Sequence, residues 1–199
     1  MGSESRRRQF LQAAMRVFAT KGFHEASVTD IIEATGVARG TFYLYFPGKR
    51  EIFEALLDEF LERLRDRLAP VRLPEQGRDD PAVMDQIRRN ARQLVSLLLE
   101  ERDLVRLLLR EAGGLDSPAR ERVATFHRLL GAWVAESLED GMAAGIVHRG
   151  NAALMARALV GMVEGTFRAW ADEDLELDLD TAVEELLALL RRGFLSLQA

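Results

Sequence analysis

The chain has 199 residues, 48% of them hydrophobic and 30% charged, with five prolines and no cysteine. A chain this long can bury a sizeable core without disulfides or a structural metal. The missing cysteines exclude a disulfide scaffold, a cysteine-liganded zinc site, a cysteine-held iron–sulfur cluster and a thiol nucleophile. The hydrophobic content excludes wholesale disorder.

The net charge of −5 hides an asymmetry. Residues 1–50 carry eight Lys/Arg against four acids, a balance of +4, and the other 149 residues carry nineteen against twenty-eight, or −9. A basic head on an acidic body points to a polyanion partner for the head alone. The opening MGSESRRRQF leads into no apolar run of signal-peptide type, and no apolar stretch approaches the length of a membrane span. A soluble, cytoplasmic protein with no membrane partner is expected.

Taken in chain order, the pattern is helical throughout. From Arg6, the apolar positions Phe10, Leu11, Ala14, Val17 and Phe18 follow helical spacing, and Gly22 supplies a stop. Ser27 opens a second helix of about two turns, with Asp30 three residues on as a short-armed capping box and Gly36 at its end. A tight connection, Thr35-Gly36-Val37-Ala38, leads to a short segment from Arg39 to Phe46 that Pro47-Gly48 breaks. A long helix carrying Ile52, Phe53, Leu56, Leu57, Phe60, Leu61, Leu64 and Leu68 stops by Pro70, before a polar loop from Pro74 to Asp80.

Pro81 fits the first turn of a helix running to about Glu101, and Asp103 to Ala112 reads as a shorter one. Ser117 caps a helix that starts at Pro118 and ends near Gly145, with Val123, Phe126, Leu130, Trp133 or Val134, and Leu138 along its stripe. Asn151 opens an apolar helix to about Ala171. After the acidic loop from Asp172 to Asp178, a last amphipathic helix runs from Asp180 to Leu197. The expected fold is all-α. It has about nine helices, in a three-helix N-terminal head (residues 1–49) and a larger helical body (residues 50–199).

Two short helices joined by a glycine-containing turn have helix-turn-helix spacing. In the third helix Phe42 and Phe46 lie one turn apart and can both pack inward. That leaves Arg39, Thr41, Tyr43 and Tyr45 to compete for the outer surface, and the chain's two tyrosines are both here. Tyrosine can donate its hydroxyl to a phosphate, and arginine can fork onto guanine or phosphate. Gly40 lets the backbone approach DNA closely. Half-buried packing tyrosines and a solvated Arg39 are the alternative.

The run from Ser27-Val28-Thr29-Asp30-Ile31-Ile32 through Thr35-Gly36-Val37-Ala38 to Arg39-Gly40-Thr41-Phe42-Tyr43-Leu44-Tyr45-Phe46, with Lys49 and Ile52-Phe53 beyond it, closely resembles the tetracycline-repressor (TetR) family. The resemblance covers about residues 8–57. Departures are small: Ile32 replaces the commoner Ala, Thr35 stands for the Ala of the turn, and Ala38 sits where serine is frequent.

This resemblance implies a homodimeric, ligand-responsive transcriptional regulator, most often a repressor, that binds palindromic operator DNA and is released by a small-molecule effector. Carried over by position, Ser27 and Thr29 would contact phosphate at a helix N-terminus. Arg39, Gly40 and Thr41 would face base edges, and Tyr43, Tyr45 and Lys49 would grip the backbone. The arm Arg6-Arg7-Arg8 either adds nonspecific contacts or is a solvated tail. The last two helices would form the dimer interface, where Ala158, Gly161 and Gly165 make a strip of small residues beside Val183, Leu186, Leu187, Leu190 and Phe194.

For an effector pocket the candidates are Phe126, His127, Trp133, Glu164, Phe167 and Trp170, each of which also suits an ordinary core. Glu164, a carboxylate in an apolar stretch, needs a partner if buried, from Arg106, Arg168 or a cationic ligand. Nothing points to an enzyme, a cofactor or a metal. Gly48-Lys49 lacks the glycine five residues earlier that a phosphate loop requires, and no histidine is in a Glu-x-x-His or His-x-x-x-His pair. The other reading is a helical ligand carrier or interaction module without specific DNA binding.

Overall fold

The computed structural model describes residues 2–72, 81–112, 118–171 and 178–193. The expected loop from Pro74 to Asp80, the Ser117 cap, the acidic loop over 172–177, and Phe194 with the end of the last helix lie outside the described residues. Among the described residues there are nine helices and no strand: α1 (Ser3–Glu25), α2 (Val28–Thr35), α3 (Arg39–Tyr43), α4 (Lys49–Arg67), α5 (Pro81–Glu100), α6 (Arg102–Ala112), α7 (Pro118–Ala143), α8 (Ala152–Ala171) and α9 (Leu179–Gly193). The all-α architecture is the one expected.

Helix α1 starts at Ser3, earlier than the apolar pattern indicates, so Arg6, Arg7 and Arg8 belong to its first turns. The helix is interrupted at Gly22, whose φ of 78° and ψ of 162° suit a residue without a Cβ. Helix α2 opens with the reciprocal cap that Ser27 and Asp30 predict. The Asp30 amide donates to Ser27 Oγ at 3.1 Å, and the Ser27 amide donates to Asp30 Oδ2 at 2.8 Å. Two later helices also start on side-chain caps. The Leu154 amide donates to Asn151 Oδ1 at 2.9 Å, and the Thr181 amide to Asp178 Oδ2 at 3.0 Å.

The chain forms two compact units, Met1–Glu62 with Glu101–Phe126, and Arg63–Glu100 with His127–Ala199. They divide the chain differently from the head and body drawn at residue 49, because α6 and the first turns of α7 join the unit that holds the helix-turn-helix. In that first unit Phe10, Phe18, Ile31, Phe42, Ile52 and Phe53 are fully buried. Their rings meet edge to face, Phe10 against Phe42 at 5.3 Å and Phe18 against Phe53 at 5.8 Å between centroids. Helix α1 is the spine of this unit, packed on α2 and α6.

In the second unit Val83, Leu138, Ile146, Val147, Ala152 and Ala156 form a buried cluster. Helix α5 lies along α9, and ion pairs join Arg88 to Glu184 and Arg92 to Asp180 across them. Among the described residues no helix is long and apolar enough to cross a membrane.

Candidate nucleic-acid interface

The helix-turn-helix is built from α2, a three-residue turn and α3. Gly36 takes φ +65°, and its amide donates to the Ile32 carbonyl at 3.0 Å, which ends α2. Thr35 braces the turn with its hydroxyl. That hydroxyl donates to the Ile32 carbonyl at 2.8 Å and accepts from the Val37 amide at 3.3 Å. A substitution that departs from the family pattern thus adds two hydrogen bonds where the chain reverses. The Thr41 amide then donates to the Ala38 carbonyl at 2.9 Å, starting α3.

One face of α3 is closed and the other open. Phe42 and Phe46 are buried, as their one-turn spacing predicts. Arg39, Gly40, Tyr43 and Leu44 are exposed, and Thr41 is half-buried. The Arg39 guanidinium lies 6.0 Å from the Tyr43 ring centre, so cation and ring share one outward ridge. A Cβ added at Gly40 would meet nothing within 4 Å, leaving the backbone open to close approach from outside.

At the start of α2, Ser27 and Thr29 are both exposed. The Ser27 hydroxyl is engaged as the cap, accepting from the Asp30 amide and donating to Asp30 Oδ2 at 2.8 Å. Lys21 adds an ion pair to Asp30 at 2.7 Å. The Lys21 and Ser27 hydrogen bonds hold the Asp30 carboxyl down from 3.8 to about 2.

Three groups sit otherwise than expected. Tyr45 turns its ring onto Phe10, 5.8 Å between centroids, and is half-buried. The Lys49 ammonium donates to the carbonyls of Phe23, His24 and Ala26 at 2.7, 3.1 and 2.8 Å, so it closes the C-terminal end of α1. Arg7 pairs with Glu59 and lies 5.6 Å from the Phe46 ring centre, an inward post rather than part of a free arm. These partners are distant in sequence, and helical periodicity carries no signal for them.

The effector candidates separate. Phe126 packs on Phe60 in the first unit, 5.9 Å between ring centroids. The other five belong to the second unit. There Phe167 is buried edge-on to Trp170 at 5.6 Å. Glu164 meets His127 Nε2 at 2.9 Å, so the partner its position calls for is a histidine rather than the arginines or cationic ligand expected. Trp133 is half-buried. Among the described residues no group of three or more His, Cys, Asp or Glu is placed to hold a metal ion.

An inward aromatic face under an outward Arg–Tyr ridge, on the second helix of a glycine-turned pair, defines a helix-turn-helix DNA-binding regulator of transcription. Residues 10–56 match the family described as bacterial regulatory proteins, tetR family, and residues 80–194 match the tetracyclin repressor-like C-terminal domain. The chain belongs to the TetR family.

Among its relatives is the HTH-type transcriptional regulator YdgC of Bacillus subtilis (strain 168), itself uncharacterised. It is 31% identical over 82% of this chain and 79% of its own. A solved TetR-family regulator from Syntrophomonas wolfei aligns with a TM-score of 0.80 over 96% of this chain and 95% of its own, at 20% identity. The transcriptional regulator FadR from Bacillus subtilis, solved in complex with stearoyl-CoA, aligns with a TM-score of 0.73 over 94% of this chain and 98% of its own, at 24% identity.

Proposed function

We propose that this regulator is a ligand-responsive repressor that binds a palindromic operator as a homodimer and leaves it when a small-molecule effector binds. The observation that carries the reading is the two-sided α3: Phe42 and Phe46 fixed inside, Arg39, Gly40 and Tyr43 open outside. Residues 1–49 act as the DNA-binding domain and residues 50–199 as the dimerisation and ligand-binding part, in the cytoplasm with the chromosome. Arg39, Gly40 and Thr41 face base edges; Tyr43, Thr29 and the start of α2 at Ser27 take phosphates. Tyr45 and Lys49 hold α3 and the start of α4 in place for those contacts.

Two recognition helices reach half-sites one turn of DNA apart only in a dimer. The surface that supports one is on α8 and α9. Leu154 is 67% exposed, and Ala158, Gly161 and Gly165 continue its exposed face along α8. On α9, Leu189 is 53% exposed. Apolar and small residues open to water on the last two helices are what a close helix–helix approach requires.

The effector would act through the second unit, which holds His127, Trp133, Glu164, Phe167 and Trp170, with the His127–Glu164 contact beside the Phe167–Trp170 ring pair as its polar and apolar elements. Release requires that the effector bind the off-DNA conformer more tightly than the on-DNA one. Stearoyl-CoA in the FadR complex makes long-chain acyl-CoA the first probe. Repression rather than activation follows the family's commonest mode.

The test is fluorescence anisotropy on short duplexes tiled through the DNA flanking the gene, at fixed salt, with and without stearoyl-CoA and other apolar probes. One near-palindromic duplex should bind far more tightly than its neighbours, with two chains per duplex, and a probe should release it. Equal, weak binding to every duplex, with a ligand still bound, would favour the helical carrier instead.

A further inference from the structure

The most exposed large apolar side chain among the described residues is Leu44, at 83%. The next are Leu154 at 67% and Leu189 at 53%, both on α8 and α9. Single exposed leucines are ordinary on protein surfaces, but the place of this one is not. It caps α3 in right-handed helical conformation, directly after Tyr43, which is itself 45% exposed.

Two neighbouring ridges therefore leave the surface of α3. Arg39 and Tyr43, four apart, make the polar one. Gly40 and Leu44, also four apart, make an apolar one beside it. Nothing lies within 4 Å of where a Gly40 Cβ would be, so the second ridge rises from open backbone to a fully presented isobutyl group. The interior gives Leu44 no place to turn, because Phe42 and Phe46 already fill the inner side of this turn.

A leucine offers no donor to a phosphate and no acceptor to a base. The one feature of the major groove it can recognise is the C5-methyl group of thymine. We infer that Leu44 reads a thymine methyl in each operator half-site, with the bare backbone at Gly40 allowing α3 to approach closely enough. This rests on α3 being the DNA-reading helix and adds to it a specificity-determining residue.

The experiment uses the full chain and the operator it selects. Each thymine of the half-site is replaced, one at a time and symmetrically, by deoxyuridine, which lacks only the C5-methyl. Wild-type protein should lose about fifteenfold in affinity at one position, about fourfold for each of the two methyl groups removed from the symmetric operator. Leu44→Ala should bind the natural operator about that much more weakly or worse, and be indifferent to uracil at that same position. Its melting temperature and solution mass should match wild type, since the side chain is exposed.

No uracil-sensitive position, or equal loss in both proteins, would overturn the inference. So would a change in oligomeric mass on Leu44→Ala, which would assign the leucine to a protein contact. If wild-type protein selects no operator at all, the proposed function falls with it. If it selects one and no thymine depends on Leu44, only this inference falls.

Discussion

The ammonium of Lys49 lies 2.7 Å from the carbonyl oxygen of Phe23 and 4.6 Å from the centre of the same residue's ring. The carbonyls of His24 and Ala26 also accept from it, at 3.1 and 2.8 Å. A cation in the first turn of α4 is at the wrong end of its own helix dipole. It is offset by the carbonyl end of α1, whose last C=O groups have no intrahelical partners. One side chain thereby ties the helix that carries the core aromatics to the start of the helix that follows the recognition element.

Lys49→Met should therefore destabilise the first unit by about 2–3 kcal/mol, the scale for hydrogen bonds to a charged group. Operator affinity should fall as well, with the slope of log affinity against log salt unchanged. Loss of a direct phosphate contact would flatten that slope by about 1 for each lysine removed. Salt titration of the variant decides between the two roles.

Arg39 and Tyr43 should behave differently from Lys49. Both are exposed, so Arg39→Ala and Tyr43→Ala should leave the unfolding free energy within about 0.5 kcal/mol of wild type. Arg39→Ala should cost about 1–3 kcal/mol of operator binding and relax the preference at one base pair. Tyr43→Ala should weaken all sequences alike. Binding to a panel of single-substitution operators separates the two.

The Asp30 carboxyl, held by Lys21 and Ser27 near 2 instead of 3.8, makes the start of α2 acid-sensitive. A carboxyl lowered on folding adds stability above its unfolded value and loses it as pH falls through the folded one. The head should therefore lose stability progressively between about pH 4 and pH 2. Asp30→Asn should be less stable than wild type at neutral pH and show a flatter profile over that window. Thermal melts from pH 5 to pH 2 on both proteins check this.

Gly161 offers a clean probe of self-association. A Cβ there meets nothing within 4 Å in one chain, and leucine favours a helix by about 1 kcal/mol over glycine. Gly161→Leu should fold at least as well as wild type. If a second copy packs on this face of α8, it should also sediment as a monomer and lose tight operator binding. A stable dimer in this variant would move the interface elsewhere.

What the sequence made legible and what it hid follow from range. The capping pair Ser27 and Asp30, the stop at Gly22, the inward Phe42 and Phe46, and the starts at Pro81 and Asn151 are set within a turn or two of chain. Spacing alone shows them. Tyr45 on Phe10, Lys49 on the end of α1 and His127 on Glu164 join residues 23 to 37 positions apart. A pattern on one helix shows which side faces in, not which group on another helix waits there. The early start of α1 was hidden for another reason: its first turns hold polar residues, which carry no periodic apolar signal.

The central claim is that α3, presented twice by a dimer, reads a specific palindrome. Selection of bound fragments from a random duplex library by the purified full chain tests it most directly. The account predicts enrichment of an inverted repeat whose half-site centres lie about one helical turn apart, with the preference at one base pair of each half-site relaxed for Arg39→Ala. A pool that stays random through successive rounds at moderate salt, while the protein still holds DNA at low salt, would contradict it.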